Sequence, residues 1–502
     1  MLDDVDALDE TRPEVLDPDG ASGDDAGAVI EAPEQGPSLT TILGLVFALV
    51  GLRIGLSPLH DNSFFTHLAT GRIILDTGHI PRSDPYSWSA AGAPWTVQSW
   101  GASVIYAGAE KVAGLVGIRV VVAICCVALT QLVWRLTKPS GSLLGRLLVT
   151  VPVIAVGTAY WVERPFLFSL IFLMAVLFAL EDRFDARWLV PIMWLWVNVH
   201  GSFPLAFVAV GCFLLGRLLD RERPAVELRV LLWVSVGTLV GGVLSPIGWD
   251  LLTFPAKLLQ NSDAFAHTAE WESPSLSASA TWMYLFQLIL AVGLVAFRGR
   301  RWRAIIPVVV FGALSLQASR NIAQASLVLI VPMVFAATGL GEIEGNEPKR
   351  ILRPVQIALV ALFVLMAGVG IFVQPDVELS KYPEGAVTWM EDEGMLGPQS
   401  RVVTRDFVGN YLEARFERGP DAPKVFFDDR VDMYPMDVVD QYMELIDANT
   451  QPGPVLEDVD ATAVLWDTDS PFGDWLEDPA NGWKIVHEEN DWMVAVPATP
   501  NG

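Results

Sequence analysis

Long apolar runs, one after another, decide most of what this chain can become. "LLGRLLVTVPVIAVGTAY" (143–160), "FLFSLIFLMAVLFAL" (166–180) and "PVQIALVALFVLMAGVGIF" (354–372) are nearly free of charge and approach the 17–20 residues a helix needs to cross a roughly 30 Å hydrocarbon slab. Inside lipid every backbone N–H and C=O must be satisfied within the protein, which leaves the helix as the natural form for such runs. Hydrophobic residues make up 52% of the 502, and 18 are Trp. The chain reads as a polytopic α-helical membrane protein.

Basic residues orient it, because cytoplasmic loops retain Lys and Arg. Clusters stand at Arg135/Lys138/Arg146, Arg183/Arg187, Arg217/Arg221/Arg223/Arg229, Arg298/Arg300/Arg301/Arg303 and Lys349/Arg350/Arg353. Between successive clusters the chain must leave and return, so each interval holds a helical pair. With a first span at 39–57, the expectation is about eleven transmembrane helices: 39–57, 115–134, 146–161, 165–181, 188–200, 203–219, 230–247, 281–297, 304–318, 322–340 and 355–373. An odd number puts the N-terminus in the cytoplasm and the C-terminal end outside, on a multi-pass protein of the plasma membrane. Residues 99–115 contain Glu110 and Lys111 and read as an interfacial helix.

The net charge of −25 divides unevenly. Residues 1–38 hold 12 Asp and Glu against one Arg, and 374–502 hold 28 acids against 8 bases, leaving 18 acids and 24 bases between them. The expected organisation is a disordered acidic cytoplasmic tail (1–38), a transmembrane domain (39–373) and an extracytoplasmic α/β domain (374–502). The tail lacks the basic and apolar regions of a cleavable signal peptide. Acidic ends disfavour nucleic acid, whose phosphates they repel. Cys125, Cys126 and Cys212 all fall inside apolar runs and say little about redox compartment.

Two outer loops are long, 58–98 and 248–280. The helical pair between Arg187 and Arg217 has only 30 residues, whereas two full spans need about 40. Its turn, "NVHGSFP", should therefore stop short of the outer surface and line a wet recess. In the end domain "SRVVTRDF", "KVFFDD", "ATAVLWD", "WKIVHEE" and "WMVAVP" have strand patterns, and "GNYLEARFE", "PMDVVDQYMELIDA" and "PFGDWLEDP" have helical spacing. No Gly-rich nucleotide fingerprint and no internal repeat is present.

The ionisable residues at or near membrane depth collect on the outer side: Asp61, His67 and Asp84 in the first loop, Glu163 and Arg164 in "YWVERPF", His200 in the recessed turn, Glu270 and Glu272 in the second loop, and Arg320 in "QASRNIAQ". Charges at that depth are costly and commonly mark a path or a site. Each also has a structural reading. Glu163 and Arg164 can neutralise one another, His200 can pack in its turn, Arg320 and Arg53 can snorkel, Asp84 can start an Asp–Pro turn, and Asp61 can be a solvated loop carboxylate. Asp61 lies about four residues past the first span, where a lipid headgroup would sit. There it could accept a proton from an attacking hydroxyl, with Arg164 and Arg320 stabilising a phosphate leaving group. A shared site requires these groups to converge within about 15 Å. Within the first loop, "FFTHLATGRIILDTG" has the spacing of an interfacial helix whose Phe64, Leu68 and Leu75 face lipid or the bundle.

The stretches "HLATGRIILDTGHIPRSDPYSW", "PWTVQSWGASVIYA", "ERPFLFSLIFL", "LWVNVHGSF", "SPIGWDLLTFP", "EWESPS", "ASRNIA" and "VFFDDRVDMYP" resemble bacterial membrane proteins of the GT-C glycosyltransferase superfamily. The resemblance implies a GT-C-like bundle and an inverting transferase that moves a sugar from a polyprenyl-phosphate donor to a glycan, lipid or protein acceptor on the outer face. It implies Asp61 as the general base, with Asp84, Glu163 or Glu270 as a second acidic residue, and His67, Arg164, His200 and Arg320 around the substrate. A divalent metal (Mg or Mn) is the one cofactor it implies, yet the paired-acid motif is absent: Asn62 and Ser63 follow Asp61. The "DDR" of Asp428, Asp429 and Arg430, expected at the carboxyl end of a strand, reads as solvated or structural. The competing readings are a transporter or flippase for a lipid-linked saccharide, and a non-enzymatic assembly factor of the envelope.

Overall fold

The computed structural model describes residues 36–260, 270–341, 351–416, 422–448 and 452–498. The expected acidic tail lies, up to residue 35, outside them. Helices cover every one of the eleven apolar segments. α1 (Leu39–Gly55) is followed by a first-loop helix α2 (Ser63–Thr77) and by the long α3 (Trp100–Leu136). α4 (Leu143–Tyr160), α5 (Phe166–Leu180), α6 (Leu189–Val199), α7 (Pro204–Leu219) and α8 (Ala225–Val243) follow through tight turns. α9 (Asp250–Gln260) lies inside the second long loop, a helix the sequence patterning did not suggest. α10 (Ser279–Arg298), α11 (Trp302–Gln317), α12 (Ile322–Val328), α13 (Ile330–Ala337) and α14 (Arg353–Phe372) complete the bundle. By length and composition, six helical stretches are long and apolar enough to cross a membrane, among them 143–160, 279–298 and 353–372.

Local chemistry sets several boundaries. Ser38 and Ser142 cap α1 and α4, their hydroxyls accepting from Thr41 N at 3.3 Å and Gly145 N at 3.0 Å. α3 breaks at Ala113–Gly114, where Gly114 takes φ +62°, a conformation costly for any residue with a Cβ. The segment expected to lie at the interface thus ends where the helix turns into the bundle. Arg119, fully buried one turn later, donates to the carbonyls of Leu56 and Gly370 and pairs with Asp376 at 3.1 Å, tying the ends of α1 and α14 to α3.

At the arginine-rich end of the bundle Glu227 is fully buried and holds Arg217 at 3.1 Å and Arg303 at 3.2 Å, while Asp220 accepts from the first backbone N–H groups of α11. These pairs gather α5, α7, α8 and α11 at the end remote from the first loop.

The C-terminal region holds α15 (Glu384–Asp392), α16 (Asp406–Arg415), α17 (Met436–Asp447), α18 (Pro452–Asp458) and α19 (Pro471–Glu477). Its four strands, β1 (Val402–Thr404), β2 (Ala463–Asp467), β3 (Trp483–Glu489) and β4 (Trp492–Pro497), form one sheet in the order β1–β2–β4–β3. β1 runs parallel to β2, and the other pairs are antiparallel.

One expected strand is corrected. Residues 424–429 belong to no strand of the sheet: Val425 makes a single bridge, and the chain bends at Phe426 and Asp429. Their ladder bonds go to the first loop, from Val425 N to Tyr86 O at 3.1 Å and from Trp88 N to Val425 O at 3.0 Å. The physical reason is that both faces of this segment are buried. Phe426 meets Trp88 of the first loop at 5.2 Å between centroids, and Phe427 stacks on Tyr442 of α17 at 4.2 Å. The "DDR" is therefore not solvated either. Asp428 is fully buried, and Arg430 joins it at 2.5 Å, Asp84 at 2.7 Å and Glu413 at 3.7 Å. These bonds seat the C-terminal region on the first loop. α2 lies between α3 and α16, so Phe64 and Leu68 are buried against protein, and only Leu75 of the expected stripe is exposed.

Candidate functional site

The loops at the other end of the bundle meet around one cavity of about 400 Å³. Asp61, Arg164, His200, Glu270 and Arg320 all line it, with His60, Ser202, Asn321 and Gln324. They come from five separate stretches of chain. The sharp turn "VERP" between α4 and α5, stiffened by Pro165, presents Arg164. The turn of α6 into α7 presents His200, and the short helix Ser319–Asn321 presents Arg320.

Asp61 sits just before α2. Its Oδ1 accepts from Ser63 N at 3.0 Å and Ser63 Oγ at 2.7 Å, so it caps the helix and feels the positive end of the helix dipole. Its Oδ2 accepts from Arg164 Nε at 2.5 Å. Burial alone would raise this carboxyl, but Arg164 and the Ser63 bonds outweigh burial and hold it below the usual carboxylate range. Arg164 also donates through Nη1 to Glu270. One guanidinium thus bridges the first and second long loops.

Glu163 and Arg164 are not paired with one another. The Glu163 carboxylate turns behind the cavity and accepts the backbone N–H of Asp61 at 2.7 Å and that of His60. Burial raises its pKa, against the opposing pull of His60 and those backbone bonds. It positions the peptide that carries Asp61.

Arg320 makes no ion pair among the described residues. Its guanidinium lies over the Trp271 ring, 4.3 Å from the centroid, and its backbone N–H donates to Glu270 O at 3.1 Å. The Nδ1 of His200 accepts from Ser202 N at 3.2 Å and contacts Ser202 Oγ at 2.8 Å, so in the neutral ring Nε2 carries the proton and is a donor. A side chain at the neighbouring Gly201 would displace the Gln98 amide. A Cβ there would stand 2.3 Å from Gln98 Oε1, which accepts from Gly201 N at 2.7 Å.

Two expected site residues stand elsewhere. Asp84 is buried in its own turn, accepting from Tyr86 N, Ser87 N and Ser87 Oγ and pairing with Arg430. That arrangement matches its structural reading. His67 lines a neighbouring cavity of about 110 Å³. Burial pushes its ring down to about 4, Asp61 pulling it up and Arg164 adding to the fall, so it is neutral at pH 7.

Gln324 escaped the sequence reading. It is buried at the cavity wall with Nε2 bonded to Asn321 at 2.8 Å and Oε1 lacking a partner among the described residues. Its spacing of four from Arg320, which puts both on one helical face, was the available signal.

Among the described residues no three His, Cys, Asp or Glu side chains gather as a metal site. The two cavity carboxylates, Asp61 and Glu270, are both committed to Arg164. This donor set does not fit a divalent ion held by several protein ligands, and no step below is routed through one.

No protein-family model matches the chain, and neither does any curated protein. Among solved structures it aligns with the archaeal oligosaccharyltransferase AglB from Archaeoglobus fulgidus, captured with an inhibitory peptide and a dolichol-phosphate. That alignment covers 86% of this chain and 69% of that one, with a TM-score of 0.52 and 11% identity. The arabinofuranosyltransferase AftD from mycobacteria aligns over 92% of this chain and 42% of that one, with a TM-score of 0.46 and 13% identity. At 11% identity the likeness to AglB is one of fold: the chain shares the fold of that oligosaccharyltransferase over 86% of its length.

Proposed function

We propose that this protein is a membrane glycosyltransferase that moves a sugar from a polyprenyl-phosphate donor to an acceptor hydroxyl on the outer face, with Asp61 as general base. The observation that carries the reading is the convergence of Asp61, Arg164, Glu270, His200 and Arg320 on one cavity of a GT-C fold. AglB, which shares that fold, was captured with a dolichol-phosphate, a lipid phosphate of the class proposed here.

Arg320, which makes no ion pair among the described residues and feels Glu270 only at longer range, takes the donor phosphate together with the Nε2–H of His200. A second cavity of about 310 Å³ shares His60 and Val162 with the first and is lined by Ile54, Val122, Trp161 and Arg53 at the end of α1. It gives the first carbons of the prenyl chain an apolar way into the bilayer.

In the transfer the acceptor oxygen bonds to the anomeric carbon while the bond from that carbon to the phosphate oxygen breaks. The phosphate leaves with the electron pair and stays with the lipid, and the acceptor proton passes to Asp61. A single displacement inverts the anomeric centre. Arg164 keeps Asp61 ionised and aimed, and Glu270 keeps Arg164 from swinging onto the phosphate alone.

The positions of the arginine clusters support eleven crossings, with the N-terminus inside and the cavity and C-terminal α/β domain outside. The deciding experiment incubates purified full-length protein with a set of polyprenyl-phosphate sugars and follows release of lipid phosphate. Wild type should release it from at least one donor, and Asp61→Asn should not, while keeping its melting temperature and donor binding. Full release by Asp61→Asn removes Asp61 from the mechanism.

A further inference from the structure

The 110 Å³ cavity beside His67 is continuous in its lining with another of about 120 Å³. Thr96 and Asp432 line both. Together they make a cleft walled by α2, residues 94–99 of the first loop, α9 and the loop 429–433 of the C-terminal region. His67 and Asp429 in its lining lie within electrostatic reach of Asp61. Asn410, itself fully buried, accepts from Thr66 Oγ1 at 3.1 Å and Asp429 N at 3.2 Å, and its amide reaches Asn62 O at 3.5 Å. Asp429 is thereby fixed beside the residue that follows Asp61. On the other side, the Gly201–Gln98 bond forms the partition between this cleft and the donor cavity.

The polar groups in the cleft are poised to accept hydrogen bonds. Asp429 and Asp432 form no ion pair among the described residues, and Arg430 beside them is committed to Asp428, Asp84 and Glu413. Ser99 lines the cleft, is 2% exposed and has a hydroxyl without a partner among the described residues, although it stands at the N-terminus of α3 where serine commonly caps. A buried hydroxyl left unbonded is costly unless something else completes it. Burial raises Asp432 to about 6 and, with Asp428 adjoining, lifts Asp429 well above the carboxylate range, which marks both as groups that the protein itself does not compensate. With His67 neutral, Arg430 committed to its three carboxylates and Lys257 paired with Asp250 at 3.6 Å, the described lining offers an anion no unpaired cation. Trp95, Pro94 and Phe254 supply an apolar wall.

Resting on the glycosyltransferase reading, we infer that this cleft is the acceptor site and that it takes an uncharged, polyhydroxylated glycan. Sugar hydroxyls donate to Asp429 and Asp432, Ser99 completes its bond on the glycan, and the terminal hydroxyl reaches Asp61 past His67.

The test is binding rather than turnover. Full-length protein in lipid nanodiscs is titrated with a panel of neutral trisaccharides (gluco-, manno-, galacto- and arabino-) and with trigalacturonate, followed by saturation-transfer NMR. At least one neutral trisaccharide should saturate and trigalacturonate should not. Asp432→Asn should raise Kd about ten-fold, the loss of one bond to a charged group. Ser99→Ala, which breaks no bond within the protein, should raise Kd several-fold without lowering the melting temperature. The inference is overturned if no neutral trisaccharide saturates, if trigalacturonate binds as tightly, or if neither Asp432→Asn nor Ser99→Ala moves Kd. Donor cleavage is read separately, so intact glycan binding with no lipid-phosphate release from any donor would sink the transferase reading and leave this site standing.

Discussion

Arg164 Nε stands 2.5 Å from Asp61 Oδ2 while its Nη1 bonds Glu270, so a single guanidinium joins two loops that are more than a hundred residues apart. A planar fork is needed for that, because a lysine ammonium is a point charge that cannot present two parallel donors to carboxylates on opposite sides. Arg164→Lys is therefore expected to lower lipid-phosphate release by about 100-fold or more, the scale on which a positioned charge contributes to transition-state stabilisation. Arg187→Lys, an exposed position paired only with Asp185, should leave the rate unchanged. Initial-rate assays on the purified variants decide it, and a rate within three-fold of wild type for Arg164→Lys contradicts the bridging role.

The same pairing sets a pH dependence. A carboxyl held below its ordinary range keeps its charge until the solution is more acidic than about pH 4. Donor hydrolysis in the absence of acceptor should thus be flat from pH 5.5 to 8 and fail only on the acid side of that range, where Asp61 takes a proton. His67, titrating at about 4, adds nothing near neutrality. An acid limb centred between pH 6 and 7 in the hydrolysis profile would assign the base to another group.

Much of this arrangement is legible in the chain itself. Apolar runs and arginine-rich turns locate the helices, and their alternation places Asp61, Arg164, His200, Glu270 and Arg320 at one end of the bundle. Helical order is local, and loop polarity follows from it. The partnership of Asp84 with Arg430 is not legible, because nothing within either segment signals a contact across more than three hundred residues. "KVFFDD" shows the limit of pattern reading. It does pair through its backbone, but only at Val425, and period and composition do not say that the partner is a loop rather than a sheet. Glu163 and Arg164 misled by adjacency, since neighbouring side chains on a tight turn diverge, and each found a different partner.

Asp432 offers a stability prediction of definite sign. Its carboxyl titrates at about 6 in the folded protein, above its ordinary value of 3.8. Between those values the folded chain holds a proton that the unfolded chain has lost. The associated stability is present below the unfolded value and disappears as pH rises through 6. Asp432→Asn has no charge to desolvate, so it should gain on wild type as pH rises, reaching of the order of 1–3 kcal/mol at pH 8. Denaturant unfolding of both proteins at pH 5 and pH 8 measures the difference, in which the other titrating groups cancel. A variant that is less stable than wild type at pH 8 refutes the assignment, whereas a gain shows a group kept at a cost in stability, as expected of a binding residue.

Arg430 is the opposite case, a buried charge whose loss strands others. Its guanidinium is 6% exposed and serves Asp428, Asp84 and Glu413, which are themselves fully buried as side chains. Tyr434 donates to the same Asp428 carboxylate at 2.6 Å, so part of the cluster would survive truncation, but Asp84 and Glu413 would lose the guanidinium that pairs with them. Removing one member of a buried ionic group is expected to cost about 3–5 kcal/mol, mostly the uncompensated charge of the partners. Because Asp84 belongs to the first loop and Arg430 to the C-terminal region, the loss should fall on their docking. Arg430→Ala is expected to lower the melting temperature of the full-length protein and to open the first loop to proteolysis around Asp84. Asp84→Asn should be milder, because Asn still accepts hydrogen bonds from Ser87 and Arg430 keeps Asp428. If Arg430→Ala melts with wild type and resists protease equally, the ionic cluster does not hold the two parts together, and the Val425–Tyr86 backbone pairing with its Phe426–Trp88 contact must suffice.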